Sequence, residues 1–394
     1  MVTIAGSGMG EYNFNNINLD FTKYEMIFCD QNFKTDLDNV VKGSFKDVKD
    51  AILVNLDKEI LYIVSGSPTF YSGAILILNV LKKENIAFKI IDNTSSLNYM
   101  LSHDGVSLVK TGIVTLHGKS QIDLENFLVK DYTFIICDEN TPALIKDATR
   151  YLSEDDFSIT LGEQFGYENE KFSNPTLDEM LKNPPKMPFS ILIKRNFKTL
   201  PNISSDDSIE HENGMITKSY KRHISLQNLE LKPNQLLWDV GAGSASMSID
   251  GYKRYKIKSI LFEKNEKRAQ MIKNSLSTHK ILNTKLCIGE ASELYKNEKS
   301  TPERIFVGGG GVKVISELDY LYSRLADGGL MVANFVTLEH LTTAITTLKN
   351  ANIKFDVKSV SLTTYKMSLL MPEPERVMHQ IIVKKEKLDK DKND

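Results

Sequence analysis

Cysteine is scarce in this chain: three in 394 residues, at Cys29, Cys137 and Cys287. An odd number at wide spacing makes neither a disulfide framework nor a zinc-ligand pattern. The three are expected as buried thiols of a reducing compartment. Neither sign of charge is in excess. Lys and Arg number 49 against 51 Asp and Glu, for a net charge of −2. That excludes the basic stripe of a nucleic-acid binder and the polybasic face of a membrane-surface protein. No run approaches the ~18 consecutive apolar residues of a membrane span. The opening Met-Val-Thr-Ile-Ala-Gly-Ser-Gly reads as a strand entering a turn, without the charged start of a leader. The expectation is a cytoplasmic protein with no nucleic-acid or membrane partner. No internal repeat is visible.

What is present is a repeated alternation of short apolar runs, small-residue turns and helical spacing. Runs at 2–5, 59–64, 88–91, 112–116 and 132–136 each stop at small or polar residues, such as Gly6-Ser7-Gly8-Met9-Gly10 and Ser65-Gly66-Ser67-Pro68. Residues 70–83 carry apolar residues at helical spacing. A second series follows: strands at 236–240, 259–262, 284–288, 304–307 and 329–334, with helices at 265–277, 314–325 and 338–349. This pattern predicts α/β layers with functional loops at strand ends. The expected division is a domain over 1–196, a linker over 197–213, a domain over 214–385 and a charged, disordered tail over 386–394. Cys287 is expected in the core, and Trp238 at the edge of its strand.

The most informative turn is Asp239-Val240-Gly241-Ala242-Gly243-Ser244-Ala245. Glycine lets a ligand approach the backbone closely. A dinucleotide fingerprint needs a third glycine, and here the sixth position is Ser246. The Asp before the loop fits instead the Asp-x-Gly-x-Gly form of a methyltransferase. Glu263, ending the next strand, can accept hydrogen bonds from both hydroxyls of a ribose. The bland alternative is an ordinary α/β turn followed by a surface glutamate.

These residues belong to a longer resemblance. Met215 to Lys218 with Arg222, residues 237–250, Leu261-Phe262-Glu263, Gly289-Glu290-Ala291, Phe306-Val307-Gly308-Gly309-Gly310-Gly311 and Asn334-Phe335-Val336-Thr337-Leu338-Glu339 are similar to the decarboxylating corrin-ring methyltransferases. The N-terminal half, through Gly6 to Glu11, Ser65 to Tyr71, Ser95-Ser96, Thr115 to Lys119 and Leu161 to Gly166 with Glu170, looks like the tetrapyrrole methylases. Together the halves resemble the fused precorrin-6Y C5,15-methyltransferase (decarboxylating) family. The resemblance implies a two-lobed α/β tetrapyrrole-methylase-like domain followed by a Rossmann-like class I methyltransferase domain. Departures gather in the N-terminal half. The family usually has Pro at Met9, Asp at Glu11, Asp at Ser67, Pro-Gly at Asp92-Asn93 and Arg at Lys119. Losing the acid at Ser67 removes a charged acceptor near the cofactor. In the C-terminal half only Ala245 departs, from a common glycine.

The implied cofactor is S-adenosyl-L-methionine, and no metal is expected. The residues expected to bind it are Gly8, Gly66, Ser67, Phe70, Ser95 and Ser96 in the first domain. In the second they are Thr217, Asp239, Gly241, Ala242, Gly243, Ser244, Ala245, Glu263, Gly289 and Ala291. The implied substrate is a precorrin or cobalt-precorrin, methylated at two meso carbons, 5 and 15, with loss of the ring C acetate carboxyl. Its many carboxylates call for cations near strand ends, and Lys119, Lys218, Arg222 and Lys313 are the candidates, with His117 beside them. A homo-oligomer is expected. Three rivals stay open: a single-activity C-terminal enzyme with a degenerate N-terminal binding module, a nicotinamide-dependent oxidoreductase, and a nucleic-acid methyltransferase. The last rests on Asn183-Pro184-Pro185-Lys186, which has Lys where an aromatic residue should stack on a base.

Overall fold

The structure is a computed structural model and describes residues 1–394 except 11–18, 31–32, 34–36, 38, 199–200, 366–369 and 388–394. Glu11 and most of the 386–394 tail therefore lie outside the described residues. The chain forms two compact units. The first comprises Met1–Gln121, Lys130–Ala143 and Phe157–Arg195, and the second Ile122–Val129, Leu144–Asp156 and Asn196–Asp394.

The first unit holds two five-stranded sheets. Strands β1 (Val2–Gly6), β2 (Met26–Asp30), β3 (Val40–Gly43), β4 (Ile60–Val64) and β5 (Phe88–Ile91) lie in the order β3-β2-β4-β1-β5, all parallel. The central β4 reads Ile-Leu-Tyr-Ile-Val and is buried throughout, as a parallel strand covered on both faces must be. Helix α1 (Phe45–Leu53) starts with a capping box between Ser44 and Asp47. Helix α2 (Ala74–Lys83) is shorter than the 70–83 expected from spacing, because Thr69 to Gly73 form a turn ahead of it. Helix α3 (Ser96–Asp104) is capped by the Ser95 hydroxyl and stops at left-handed Gly105. The second sheet contains β6 (Thr111–Thr115), β7 (Tyr132–Ile136), β8 (Phe157–Glu163), β9 (Lys171–Ser173) and β10 (Phe189–Arg195), in the order β6-β7-β10-β8-β9. Helix α4 (Thr141–Ala148) follows β7, and α5 (Leu177–Lys182) precedes β10.

The second unit is built on one seven-stranded sheet. Helix α6 (Ser219–Asn228) leads into β11 (Leu236–Val240), α7 (Ser246–Tyr255), β12 (Lys258–Glu263), α8 (Glu266–Thr278), β13 (Thr284–Ile288), α9 (Ala291–Asn297) and β14 (Arg304–Val307). Then come α10 (Gly311–Ile315), α11 (Leu318–Arg324), β15 (Leu330–Phe335), α12 (Leu338–Asn350), β16 (Asp356–Val360), β17 (Thr363–Tyr365), β18 (Pro372–Pro374) and β19 (Met378–Lys384). The order is β13-β12-β11-β14-β15-β19-β16, with the first five strands parallel and β19 antiparallel to both of its neighbours, β15 and β16. The reversal of strand order beside β11 is a topological switch point, where open α/β sheets bind ligands. The helix expected over 314–325 is two helices, α10 and α11.

Three expectations need correction here. Trp238 does not sit at an edge: β11 is central, and its indole is fully buried, edge-on to Phe262 at 5.5 Å between centroids. Most of the stretch expected as a linker is packed into the second unit: Ser204 N donates to Asp250 Oδ1 at 3.0 Å, and Glu210 N to Ser275 Oγ at 3.0 Å. Segments 122–129 and 144–156, placed by sequence in the first domain, cluster with the second unit. Leu124 N donates to Asn234 Oδ1, Asn283 N to Ala148 O, and Lys280 pairs with Asp156 at 2.7 Å. Cys29 and Cys137 are buried as expected, while Cys287 is half-buried against the core. Among the described residues no helix is long and apolar enough to cross a membrane.

Candidate active site

In the second unit, the ends of β11, β12, β13, β14 and β15 surround a cleft of about 810 Å³. The strand-end loops are pressed together to an extent that only glycine permits. A Cβ on Gly241, whose φ is +71°, would lie 2.5 Å from the Gly309 carbonyl carbon and 2.8 Å from Gly310 N. The Gly241 and Ala242 amides both donate to Phe262 O at 3.0 Å, and Gly308 N donates to Val240 O. The loop closes on Ala245, which adopts the left-handed conformation at φ +57° before α7 begins. Its departure from glycine is thus placed where glycine would be the easier residue.

Glu263 ends β12 inside this cradle, 3% exposed. Its Oε2 accepts from Gly243 N at 2.8 Å and its Oε1 from Asn265 N at 2.9 Å, with Arg268 Nη1 3.7 Å away. A carboxylate has about four lone-pair sites, so each oxygen keeps one for a ligand hydroxyl. Gly243, Ser244, Ala242, Thr217 and Ala291 share the cleft wall with Glu263. Asp239, Ala245 and Gly289 stand behind that wall instead of on it. Asp239 is 1% exposed and accepts from Ser248 Oγ at 2.8 Å, and burial pushes its carboxyl up to about 7. Ala245 N donates to Ala242 O, and Gly289 N to Glu263 O, so both support the loops.

The cations divide. Lys218 lines the cleft, half-buried, 3.8 Å from Asp206. Arg222 does not: it is fully buried, with Nε on Asp250 Oδ2 at 2.8 Å, Nη1 on Asp206 Oδ1 at 2.6 Å and on Thr217 O at 2.7 Å, and Nη2 on Ser204 O at 2.6 Å. Every one of its donors but one is spent within the protein, so it shapes the Thr217–Lys218 wall and is not a substrate ligand. Lys313 lies outside the cleft lining, exposed and 3.5 Å from Glu293. Sequence reasoning missed Lys221, Lys264, Arg268, His340 and Arg376, which do line it. Lys221 is half held, pairing with Glu375 at 2.8 Å and donating to Arg376 O. Its signal was available: it stands three residues after Lys218, in the first turn of the helix that Lys218 caps. Arg376 follows β18, whose pattern was not recognised. Asn334 at the end of β15 lines the cleft and is fixed from behind: Gln380 donates to Asn334 Oδ1 and Ser225 Oγ, and Asn334 Nδ2 donates to Ser225 Oγ.

In the first unit the ends of parallel β1, β4 and β5 also converge. Gly8 and Gly66 pair as an antiparallel bridge, with Gly8 N to Gly66 O at 3.1 Å and Gly66 N to Gly8 O at 2.9 Å. Ser67 is buried beside them; Ser95 caps α3 and Ser96 begins it. Phe70 packs on Phe134 and Tyr71 at 6.1 and 5.1 Å between centroids. The Gly10 and Gly166 turns touch: a Cβ on Gly10 would lie 2.1 Å from Gly166 O. Glu170 holds the second turn, accepting from Gly166 N at 2.6 Å and from Tyr99 OH at 2.7 Å; that bond raises the Tyr99 hydroxyl to about 12. His117 and Lys119 sit on the exposed turn after β6, His117 Nδ1 being 3.4 Å from Cys137 O. A cavity of about 510 Å³ beside His103 and Phe172 is lined by none of the expected site residues.

Comparison with known proteins matches residues 208–363 to a precorrin methyltransferase domain and residues 28–181 to the tetrapyrrole (corrin/porphyrin) methylases. A precorrin-6Y C(5,15)-methyltransferase [decarboxylating] of a Sinorhizobium species is 23% identical over 297 residues, 73% of this chain and 71% of that protein. A probable cobalt-precorrin-6B C(15)-methyltransferase (decarboxylating) of Pyrobaculum aerophilum is 27% identical over 168 residues, 41% of this chain and 83% of that protein. A solved precorrin-6Y C5,15-methyltransferase of Geobacter metallireducens is 30% identical, over 47% of this chain and 98% of its own, with a TM-score of 0.44.

Proposed function

We propose, from the premise that this chain resembles the precorrin-6Y C(5,15)-methyltransferases in both of its parts, that it is a decarboxylating, S-adenosylmethionine-dependent methyltransferase of a precorrin-type macrocycle in cobalamin biosynthesis. The substrate gains methyl groups at meso carbons 5 and 15 and loses the ring C acetate carboxyl as carbon dioxide. The observation that carries the reading is the cradle at the end of β11. Gly241 has no room for a side chain against Gly309 and Gly310, and Glu263 keeps a lone pair on each oxygen beside the Gly243 amide. That pair of free acceptors fits a nucleoside with two adjacent hydroxyls. The third glycine that a nicotinamide pyrophosphate needs is Ser246, so the oxidoreductase reading is weaker.

When bound, S-adenosylmethionine supplies a methyl group already activated by its sulfonium. The chain's own task is then alignment and exclusion of water. Glu263 would hold the ribose hydroxyls, and Ala242, Gly243 and Ser244, on the same cleft wall, would line the cofactor's site. Lys218, Lys221, Arg376 and Arg268 give the cleft the positive charges that a polycarboxylate ring requires. Held there, the acetate carboxylate leaves as carbon dioxide, its bonding pair passes into the electron-poor ring, and the carbon takes a proton. The first unit is assigned the other meso carbon, with Gly8, Gly66, Ser67, Phe70, Ser95 and Ser96 at its cofactor loops and His117 and Lys119 on the substrate side. A homo-oligomer is the expected assembly.

Calorimetric titration tests the cofactor assignment. S-adenosylmethionine should bind, NAD should not, and Glu263→Ala should weaken the second-unit site on the order of ten- to a hundredfold, the worth of a charge-assisted hydrogen bond. Binding of NAD without S-adenosylmethionine would favour the oxidoreductase.

A further inference from the structure

Two departures from the family pattern, Ser67 in place of Asp and Asp92-Asn93 in place of Pro-Gly, meet in space. Ser67 Oγ donates to Asp92 Oδ1 at 2.6 Å, across the end of β1 that separates β4 from β5. Asn93 completes the clasp: its Nδ2 donates to Gly6 O at 3.1 Å and its Oδ1 accepts from Thr94 N at 2.8 Å. Gly8 has no side chain where one would lie 2.9 Å from Asn93 Oδ1. An acid thus stands beside the Gly66 loop, carried by the segment that follows β5.

We propose that Asp92 is the charged acceptor of the S-adenosylmethionine site in the first unit, with Ser67 holding it in place. This rests on the reading of that unit as a methylase. Ser67 is buried, whereas Asp92 is exposed. Asp92 Oδ1 is occupied by the Ser67 hydroxyl and by Asn93 N at 2.9 Å, and Oδ2 has no partner among the described residues. A carboxylate carrying two donors on one oxygen is fixed in orientation, with the other oxygen open to a ligand donor. It lies beside the Gly8–Gly66 bridge, where two glycines leave the backbone bare. The ligand class that suits an anionic acceptor here is a cationic adenosyl sulfonium, which offers ribose hydroxyls and an ammonium. Ser67 is a positioning residue and Asp92 a binding residue. The pairing also answers the degenerate-module alternative, because the charge has moved without being lost.

The test is calorimetry on the full chain with S-adenosylmethionine. Wild type should show two sites, one of which Glu263→Ala removes. Asp92→Asn keeps an oxygen for the Ser67 hydroxyl but loses the charge; it should weaken the other site on the order of ten- to a hundredfold and leave the Glu263-dependent site unchanged. Ser67→Ala should weaken that site only a few-fold. The double variant S67D/D92N, which returns the carboxylate to the other side of the pair, should restore it. If Asp92 is merely a loop clip, Ser67→Ala and Asp92→Asn will behave alike and the double variant will not rescue; that result overturns the proposal and leaves the methylase reading standing. Full binding at both sites in Asp92→Asn overturns it likewise. A single wild-type site, lost in Glu263→Ala, overturns both the methylase reading of the first unit and this inference.

Discussion

Glu263 and Asp239 end neighbouring parallel strands, yet their surroundings give them opposite work. Glu263 faces the cleft with two backbone amides to support its charge. Asp239 is sealed against Ser248, and burial, opposed by the Ser248 hydrogen bonds and aided by the Glu263 charge, lifts its carboxyl to about 7. An unfolded aspartate titrates near ~3.9. Between about pH 4 and 7 the folded chain therefore holds a proton that the unfolded chain has released. The group's contribution to stability is complete below that window and is lost as pH rises through it. Asp239→Asn should gain stability relative to wild type between pH 5 and pH 8, on the order of 2 kcal/mol, read as the difference in urea midpoints. A difference that does not change with pH would contradict this. At this scale the sequence was informative wherever a residue's role is local. The Asp-x-Gly-x-Gly spacing and the strand-end Glu263 pointed to the cradle. It misled at Arg222, because a helical arginine looks solvated until Asp206, Asp250 and Ser204 close around it. The partner of Ser67 was not legible either, because Asp92, which accepts from its hydroxyl, is 25 residues away.

Elements transmit these local constraints to the cleft. The 203–212 segment is strapped to α6, α7 and α8 by charge. Arg222 binds Asp250 and Asp206, and Lys253 donates to Ser204 Oγ at 2.8 Å and contacts His279 Nδ1 at 2.9 Å. His279 Nε2 meets Ser208 O at 2.7 Å. Burial lowers the proton affinity of both Lys253 and His279, consistent with an imidazole that donates to Ser208 and accepts from the lysine. The strap delivers Thr217 and Lys218 to the cleft wall. Arg222→Met leaves Asp250 buried without its partner, and should cost about 3–5 kcal/mol of stability, measured by chemical denaturation, while wild-type-like stability would show the strap to be dispensable. The glycine loops are the second such device. Gly241→Ala forces a left-handed alanine into the Gly309–Gly310 backbone; it should lower the melting temperature and abolish S-adenosylmethionine binding at the second unit, and binding at wild-type strength would remove the cradle from the account. Parallel strands that end in glycine turns were legible because burial and turn chemistry are written in adjacent residues. Strands β16 to β18 were not, because they are largely exposed and so carry no apolar alternation to read.

For the whole molecule, the sequence conveyed two α/β parts and the order in which they come. It did not convey that 122–129 and 144–156 cluster with the second unit, since the bonds that place them, such as Leu124 N to Asn234 Oδ1, span more than a hundred residues. Each unit brings glycine-rich strand ends and one well-placed carboxylate together, Glu263 in the second and Asp92 in the first. That parallel construction is the basis for assigning a methyl transfer to each. The most direct test is a single incubation of the full chain with a precorrin-6Y substrate and methyl-labelled S-adenosylmethionine, followed by mass analysis of the macrocycle and capture of released gas. The account predicts a product with two labelled methyl groups and one carbon dioxide released per ring. A product with one methyl group and carbon dioxide lost would contradict a working first unit, and a ring recovered unchanged would contradict the account as a whole.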